Sequence, residues 1–131
     1  MNWVVIEGKA YDVLVVDVER NFNILYTENT GRTLAEGAPL ILDPLGTFYG
    51  HKITFARRKN NVAAFDSLWD FLSQPRMVGI NVKIVYNQDV LQYDAYVSSG
   101  TQKLNHIDRN GTVYWDAMQA SFIPIKAQVT P

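Results

Sequence analysis

Apolar positions recur with a period of two along most of the chain and with a helical period in one stretch. There Phe65, Leu68, Trp69 and Leu72 stand at i, i+3, i+4 and i+7, a single stripe along one helix face. Asp66, Ser67, Asp70 and Ser73 fall on or beside the opposite face. Asn60 or Asn61 can cap free N–H groups at its start, and Pro75 disfavours helical geometry in Gln74. The spacing predicts a helix over about residues 61–74. A stripe that holds a Trp and a Phe must be buried, and a sheet built from the rest of the chain is the surface for it.

The strands follow from the remaining alternation. Residues 3–6 and 11–18 read as a first hairpin, with a turn at Glu7-Gly8-Lys9 and branched residues at Val13, Val15, Val16 and Val18. Phe22, Ile24 and Tyr26 alternate with Asn23 and Leu25, which predicts a third strand or a continuation after a kink near residues 19–21, with one face buried. Residues 40–42 form a brief strand and 47–57 a longer one, in which Tyr49, His51, Ile53 and Phe55 share the inward parity. After the helix, Ile80, Val82, Ile84 and Tyr86 make a half-buried strand. Asn87-Gln88-Asp89 turns it into an antiparallel partner carrying Leu91, Tyr93, Ala95 and Val97. Residues 104–107 pair across Asn110-Gly111, a strong hairpin signal. The last strand, 112–125, points Met118, Ala120 and Phe122 inward, and Pro124 places that end off the ladder or on an edge. The fold expected is mainly β, of the α+β kind: an antiparallel β-sandwich or partly closed barrel with one flanking helix, in a single domain over 1–131 with a frayed tail at 126–131.

Residues 27–38 break the pattern, since they hold two Gly, several polar residues and no sustained period. A long exposed loop is expected there. Such loops in a compact domain are either functional or disordered, and a contact role is the reading carried forward. Within it Thr30, Gly31, Arg32, Thr33 and Leu34 are the candidates for contact with a neighbouring subunit. Arg32 is foremost, because a guanidinium can bind a carboxylate with two parallel hydrogen bonds.

Composition narrows the function. The 131 residues suffice for a core without staples, and the absence of Cys removes disulfides, thiolate metal sites and Cys nucleophiles. With 12 Lys plus Arg against 13 Asp plus Glu, no global field gathers nucleic acid or an anionic membrane. Neither a signal peptide nor a membrane-spanning run is evident, so no membrane insertion is expected. Arg57-Arg58-Lys59 could grip an anion, but a solvated turn is the simpler reading.

Catalytic chemistry is not signalled. His51 and His106 are the two histidines, and neither lies in a nucleophile-elbow or metal-ligand spacing. Asp108-Arg109-Asn110-Gly111 resembles the start of a calcium loop but lacks the later ligands, so it reads as a β-turn. Asp66 and Asp70 share the solvent side of the helix. No phosphate-cradling Gly loop is present. The expectation is therefore no enzyme, with no catalytic residue, cofactor or metal, and an interaction or assembly part instead.

Several phrases together carry a family resemblance. They are Gly31-Arg32-Thr33-Leu34, Leu45-Gly46-Thr47-Phe48-Tyr49 before Ile53-Thr54-Phe55, Asp94-Ala95-Tyr96-Val97-Ser98-Ser99-Gly100, and Tyr114-Trp115 followed by Phe122-Ile123-Pro124. Over roughly residues 11–124 the chain resembles small tail or baseplate-region structural proteins of phages and prophages of Gram-positive bacteria. The resemblance implies a tail-tube-like β-sandwich that forms rings, a homo-oligomer in contact with neighbouring phage tail proteins. It also implies a place in the virion tail, after synthesis in the bacterial host cytoplasm. The alternative is a small carbohydrate- or protein-binding β-sandwich module that uses its loops.

Overall fold

The computed structural model describes residues 3–27, 30–32, 37 and 40–131. In chain order the elements are β1 (Val4–Ile6), β2 (Val13–Tyr26), β3 (Gly31–Arg32), β4 (Leu40–Ile41), β5 (Pro44–Arg57), α1 (Val62–Leu72), β6 (Ile80–Tyr86), β7 (Asp89–Thr101), β8 (Leu104–Ile107), β9 (Val113–Trp115) and β10 (Met118–Pro124). Six strands form one antiparallel sheet in the order β1-β6-β7-β10-β5-β2; β3 pairs with β4, and β8 with β9.

The sheet curls onto itself without closing. β5 and β6 are separated by two strands in the sheet, yet the Tyr49 and Tyr86 rings lie 5.4 Å apart. His51 on β5 likewise reaches over β10 to the Tyr93 hydroxyl on β7, at 2.8 Å. The strands β1, β6 and β7 thus face β10, β5 and β2 in the manner of a sandwich. Bulges assist the bending, one in β2 at Val16 and one in β7 at Ser98-Ser99, opposite the β10 step from Ala120 to Phe122. The two sheet edges β1 and β2 do not pair; Val4, Ile6, Val15, Phe55 and Leu68 line a gap of about 20 Å³ where they come near each other.

The helix closes this arrangement as its stripe requires. Phe65, Leu68 and Leu72 are buried in one cluster with Ile53, Phe55, Val82, Ile84 and Phe122, while Trp69 is half-buried against it. Asn61 is the N-cap: its side-chain oxygen accepts from the Ala64 N–H at 3.1 Å, and its amide donates to Asp12 at 2.8 Å. At the other end the Arg76 guanidinium donates to the carbonyls of Phe71 and Gln74, a cation at the negative end of the helix dipole.

Four expectations are corrected. β1 does not form a hairpin with β2 but pairs with β6, through Val4↔Ile84 and Ile6↔Val82; the edge of the sheet offers those apolar residues a place next to the core. β2 runs unbroken from Val13 to Tyr26, paired along its length with β5, and its irregularity is the Val16 bulge rather than a kink at 19–21. The stretch 27–38 is not wholly irregular, since Gly31 and Arg32 pair with Ile41 and Leu40. The tail 126–131 is hydrogen-bonded at Gln128 and Val129 rather than loose throughout. Gln128 and Val129 donate their N–H groups to the Thr47 carbonyl, Thr47 donates back to the Val129 carbonyl at 2.8 Å, and the Gln128 side chain bonds both the N–H and the C=O of Tyr49 at 3.0 Å. β10 leaves β5 at the Phe122↔His51 pair, so without the tail the strand edge at Thr47 and Tyr49 would stand open. Pro124 fits the same geometry, because it faces β7 alone.

Candidate functional site

β2 is an edge strand of 14 residues in which Val13 is buried, Val18 is half-buried and the rest are exposed. Its pairing with β5 decides which way each side chain points. Val18, Arg20, Phe22 and Ile24 oppose Ile53, His51, Tyr49 and Thr47 on the inner face; Asp17, Glu19, Asn21, Asn23 and Leu25 oppose Thr54, Lys52, Gly50, Phe48 and Gly46 on the outer face. Apart from Arg20 the inner stripe is apolar by sequence, but it runs past the end of the core. Phe22 is consequently 66% exposed and Ile24 43%. This contradicts the expectation that Phe22, Ile24 and Tyr26 bury one face. The core ends near the Tyr49–Tyr86 contact, and the two strands project beyond it as an arm.

The arm carries exposed apolar side chains on both faces: Phe22, Ile24 and Tyr26 on one, Leu25 on the other, with Leu42 (58%) and Leu45 (55%) exposed in the segment that returns into β5. Its outer edge is open as well. Among the described residues, no hydrogen bond outside the β5 ladder reaches the main chain of residues 14–25. A row of free N–H and C=O groups flanked by apolar side chains is a template for pairing with another chain.

Of the predicted contact residues, Thr30, Gly31 and Arg32 are described, and they lie at the end of this arm. The Thr30 hydroxyl accepts from the Asp43 N–H at 2.8 Å, and Thr27 donates its hydroxyl and its N–H to the Asp43 side chain and carbonyl. Thr30 thus helps close the tip. Gly31 and Arg32 supply the β3 ladder. The side chain of Arg32, and Thr33 and Leu34 altogether, lie outside the described residues.

Most of the remaining polar groups have local partners; the buried His51 Nε2 and Arg57 Nε have no hydrogen-bond partner. His51 is 1% exposed; its Nδ1 meets the Tyr93 hydroxyl, its ring stacks on the Tyr93 ring at 5.7 Å, and its Nε2 has no hydrogen-bond partner. Burial, and secondarily the Arg20 guanidinium, lower its pKa to about 4, so it is neutral at pH 7; the Val85 backbone opposes this without closing a hydrogen bond to Nε2. Burial likewise raises the Tyr93 phenol, which keeps its proton. His106 is exposed and stacks on Tyr114 at 4.6 Å. In the basic turn Arg58 pairs with Asp12 at 2.8 Å and the Arg57 guanidinium lies over the Tyr114 ring at 4.8 Å. Those partners take up two of the three cations that an anion would have needed. Asp108 accepts from the N–H groups of Asn110 and Thr112 around Gly111 at φ +82°, the geometry of a turn. Among the described residues no three His, Asp or Glu side chains converge as metal ligands.

The sequence contained one signal for the exposed strand. Leu14-Val15-Val16 and Ile24-Leu25-Tyr26 are apolar on both parities, whereas a strand with one solvated face alternates. The sequence matches no protein-family model and no curated protein.

Proposed function

We propose that the chain is a virion structural protein, a ring-forming component of a phage tail or baseplate that acts through protein–protein contacts. The observation that supports this reading best is the arm formed by β2 and β5, with a free strand edge and apolar side chains on both faces. A monomer gains nothing from exposing such a surface, and an assembly subunit buries it against its neighbours. The resemblance of the Gly31-Arg32-Thr33-Leu34 and Leu45-Gly46-Thr47-Phe48-Tyr49 phrases to tail and baseplate proteins gives the kind of assembly. The partners are then further copies of the chain and neighbouring tail proteins, in a virion tail built in the bacterial cytoplasm.

A second reading, a small carbohydrate- or protein-binding module, draws on a groove of about 310 Å³ between the end of α1 and strands β7 and β10, lined by Trp69, Val97, Ser98, Gly100 and Met118. Light scattering on a size-exclusion column, over a wide range of protein concentration, separates the two. Mass that climbs to a fixed multiple of 14.9 kDa, with annular particles by electron microscopy, is the expected result. A chain that stays monomeric at every concentration while binding a glycan or peptide would favour the module.

A further inference from the structure

We infer that the free edge of β2 pairs with the β2 of a second copy, antiparallel, about a two-fold axis at Asn21. The inference does not rest on the tail reading; it rests on the edge and on which side chains the pairing rules bring together.

At the Val13–Val15 end, the β2 edge lies near β1 of the same chain, across the small gap that Val4, Ile6 and Val15 share. Of β2 only Val13 and Val15 line that gap, and further along the strand leads into the arm. Within residues 14–25 the main-chain groups that do not bond to β5 have no partner among the described residues. An added strand would satisfy them, and the occupant must match the side chains beside them.

Two antiparallel copies of one strand related by a two-fold axis across the sheet bring residues of the same face opposite each other. The register is then fixed by the residue on the axis. With Val18 on the axis, Asp17 meets Glu19 of the other copy on the outer face. With Glu19 on the axis, that carboxylate meets itself, and with Arg20 the guanidinium does the same. Like charges directly opposite are destabilising. With Phe22 on the axis, Glu19 meets Leu25 and Arg20 meets Ile24, so both charges face apolar side chains.

Asn21 on the axis gives the complementary arrangement. On the inner face Val18 meets Ile24 and Arg20 meets Phe22, each contact made twice by symmetry. The Arg20 guanidinium already lies over the Tyr86 ring at 5.6 Å, and the opposing Phe22 offers it a second aromatic face. On the outer face Glu19 meets the Asn23 amide, which can donate to it, and Asn21 meets Asn21, whose amides can exchange hydrogen bonds. Asp17 meets Leu25 at the ends of the paired segment, where its carboxylate remains in water. Phe22 and Ile24, exposed in the monomer, gain partners, and the sheets of the two copies become continuous.

A two-fold contact closes on two copies and builds no ring by itself. A ring would need a further, head-to-tail contact, for which the tip of the arm around Thr30 and Gly31 stays the candidate. The edge contact and the ring can therefore fail separately.

The absence of Cys makes the register directly measurable. Asn21→Cys, Glu19→Cys and Asn23→Cys all lie on the exposed outer face, so each should fold, which circular dichroism checks. Under mild oxidation Asn21→Cys alone is expected to give a covalent dimer, because residues directly opposite across antiparallel strands have Cα atoms within the usual disulfide span of about 4.4–6.8 Å. Glu19→Cys alone and Asn23→Cys alone should stay uncross-linked, while an equimolar mixture of the two should link. Cross-linking of a different pair would overturn the Asn21 register. No cross-link in any folded combination, at concentrations where the unmodified chain is oligomeric, would show that β2 is not the contact and leave the ring reading standing. An unmodified chain that is monomeric throughout would overturn the pairing outright.

Discussion

Burying an imidazole with one nitrogen unpaired makes sense if the ring fills space and holds one partner, and His51 does both. It stacks on Tyr93, takes its hydroxyl at 2.8 Å and lies 1% exposed between the two halves of the curled sheet. The cost appears when the ring must charge. The folded-state pKa of about 4 lies below the unfolded value of 6.5, so the unfolded chain takes up a proton first as the pH falls. Stability is therefore undiminished by this group above pH 6.5, declines through the interval down to about 4, and by its lower end has lost about 3 kcal/mol. Urea melts at pH 7.0, 6.0 and 5.2, above most carboxylate titration, should show the midpoint falling. His51→Gln keeps a group that can bond the Tyr93 hydroxyl but cannot charge, and should flatten that slope even if its stability at pH 7 is lower. An equal slope in the variant would assign the pH dependence to other groups.

At the scale of elements, the C-terminal segment substitutes for a strand. β10 covers β5 from Phe55 to His51 and no further, and the edge above it is occupied by residues 127–129. The fit is close. Gly46 has φ +155°, and a Cβ there would come within 2.6 Å of the Val129 carbonyl and 2.7 Å of the Ala127 Cβ, so the tail seats against bare backbone. The Gln128 amide copies what a neighbouring peptide unit would do, one donor and one acceptor aimed at Tyr49. Gln128→Ala should speed hydrogen exchange at the Tyr49 amide by an order of magnitude or more while leaving amides near Ile53 and Phe55 protected. The global loss should be only about 1–2 kcal/mol, since two hydrogen bonds at a partly exposed edge are removed. Unchanged exchange at Tyr49 would mean that something else covers it. The sequence could not announce this seat, because Lys126 to Pro131 has no period and a side chain standing in for a strand leaves no pattern.

Over the whole molecule, what was legible in the sequence was whatever is enforced by local burial. The stripe at Phe65, Leu68 and Leu72, the inward parity of His51, Ile53 and Phe55, and the tight turn at Asn87 all involve residues whose environment is set by near neighbours in the chain or by the core itself. Pairing between distant strands was not legible, since Val4 to Ile6 would suit any apolar edge and β6 won it. The exposed surface escapes the sequence pattern for a related reason. Phe22, Ile24 and Tyr26 have the spacing of a buried face, and nothing local says that the core stops at Tyr49. The tip is the region where a whole-molecule prediction belongs. Because Thr30 bonds Asp43 and Gly31–Arg32 forms a ladder, a Gly-Ser linker should replace only residues 33–36. That chain is expected to keep its melting temperature within a few degrees, because loop composition at constant length costs little closure entropy, and, under the proposed ring reading, to lose ring formation by electron microscopy. Rings of normal size would remove Thr33 and Leu34 from the contact. The seat of the tail also has a mechanical meaning. With β10 and then residues 127–129 fastened along one side of β5, the hairpin is a cantilever clamped at its root, and a load on its tip travels down the paired strands in shear to the Tyr49–Tyr86 contact. A lever so mounted moves with the body of its own subunit, and a pull from a neighbour would tilt the whole domain rather than bend the arm alone.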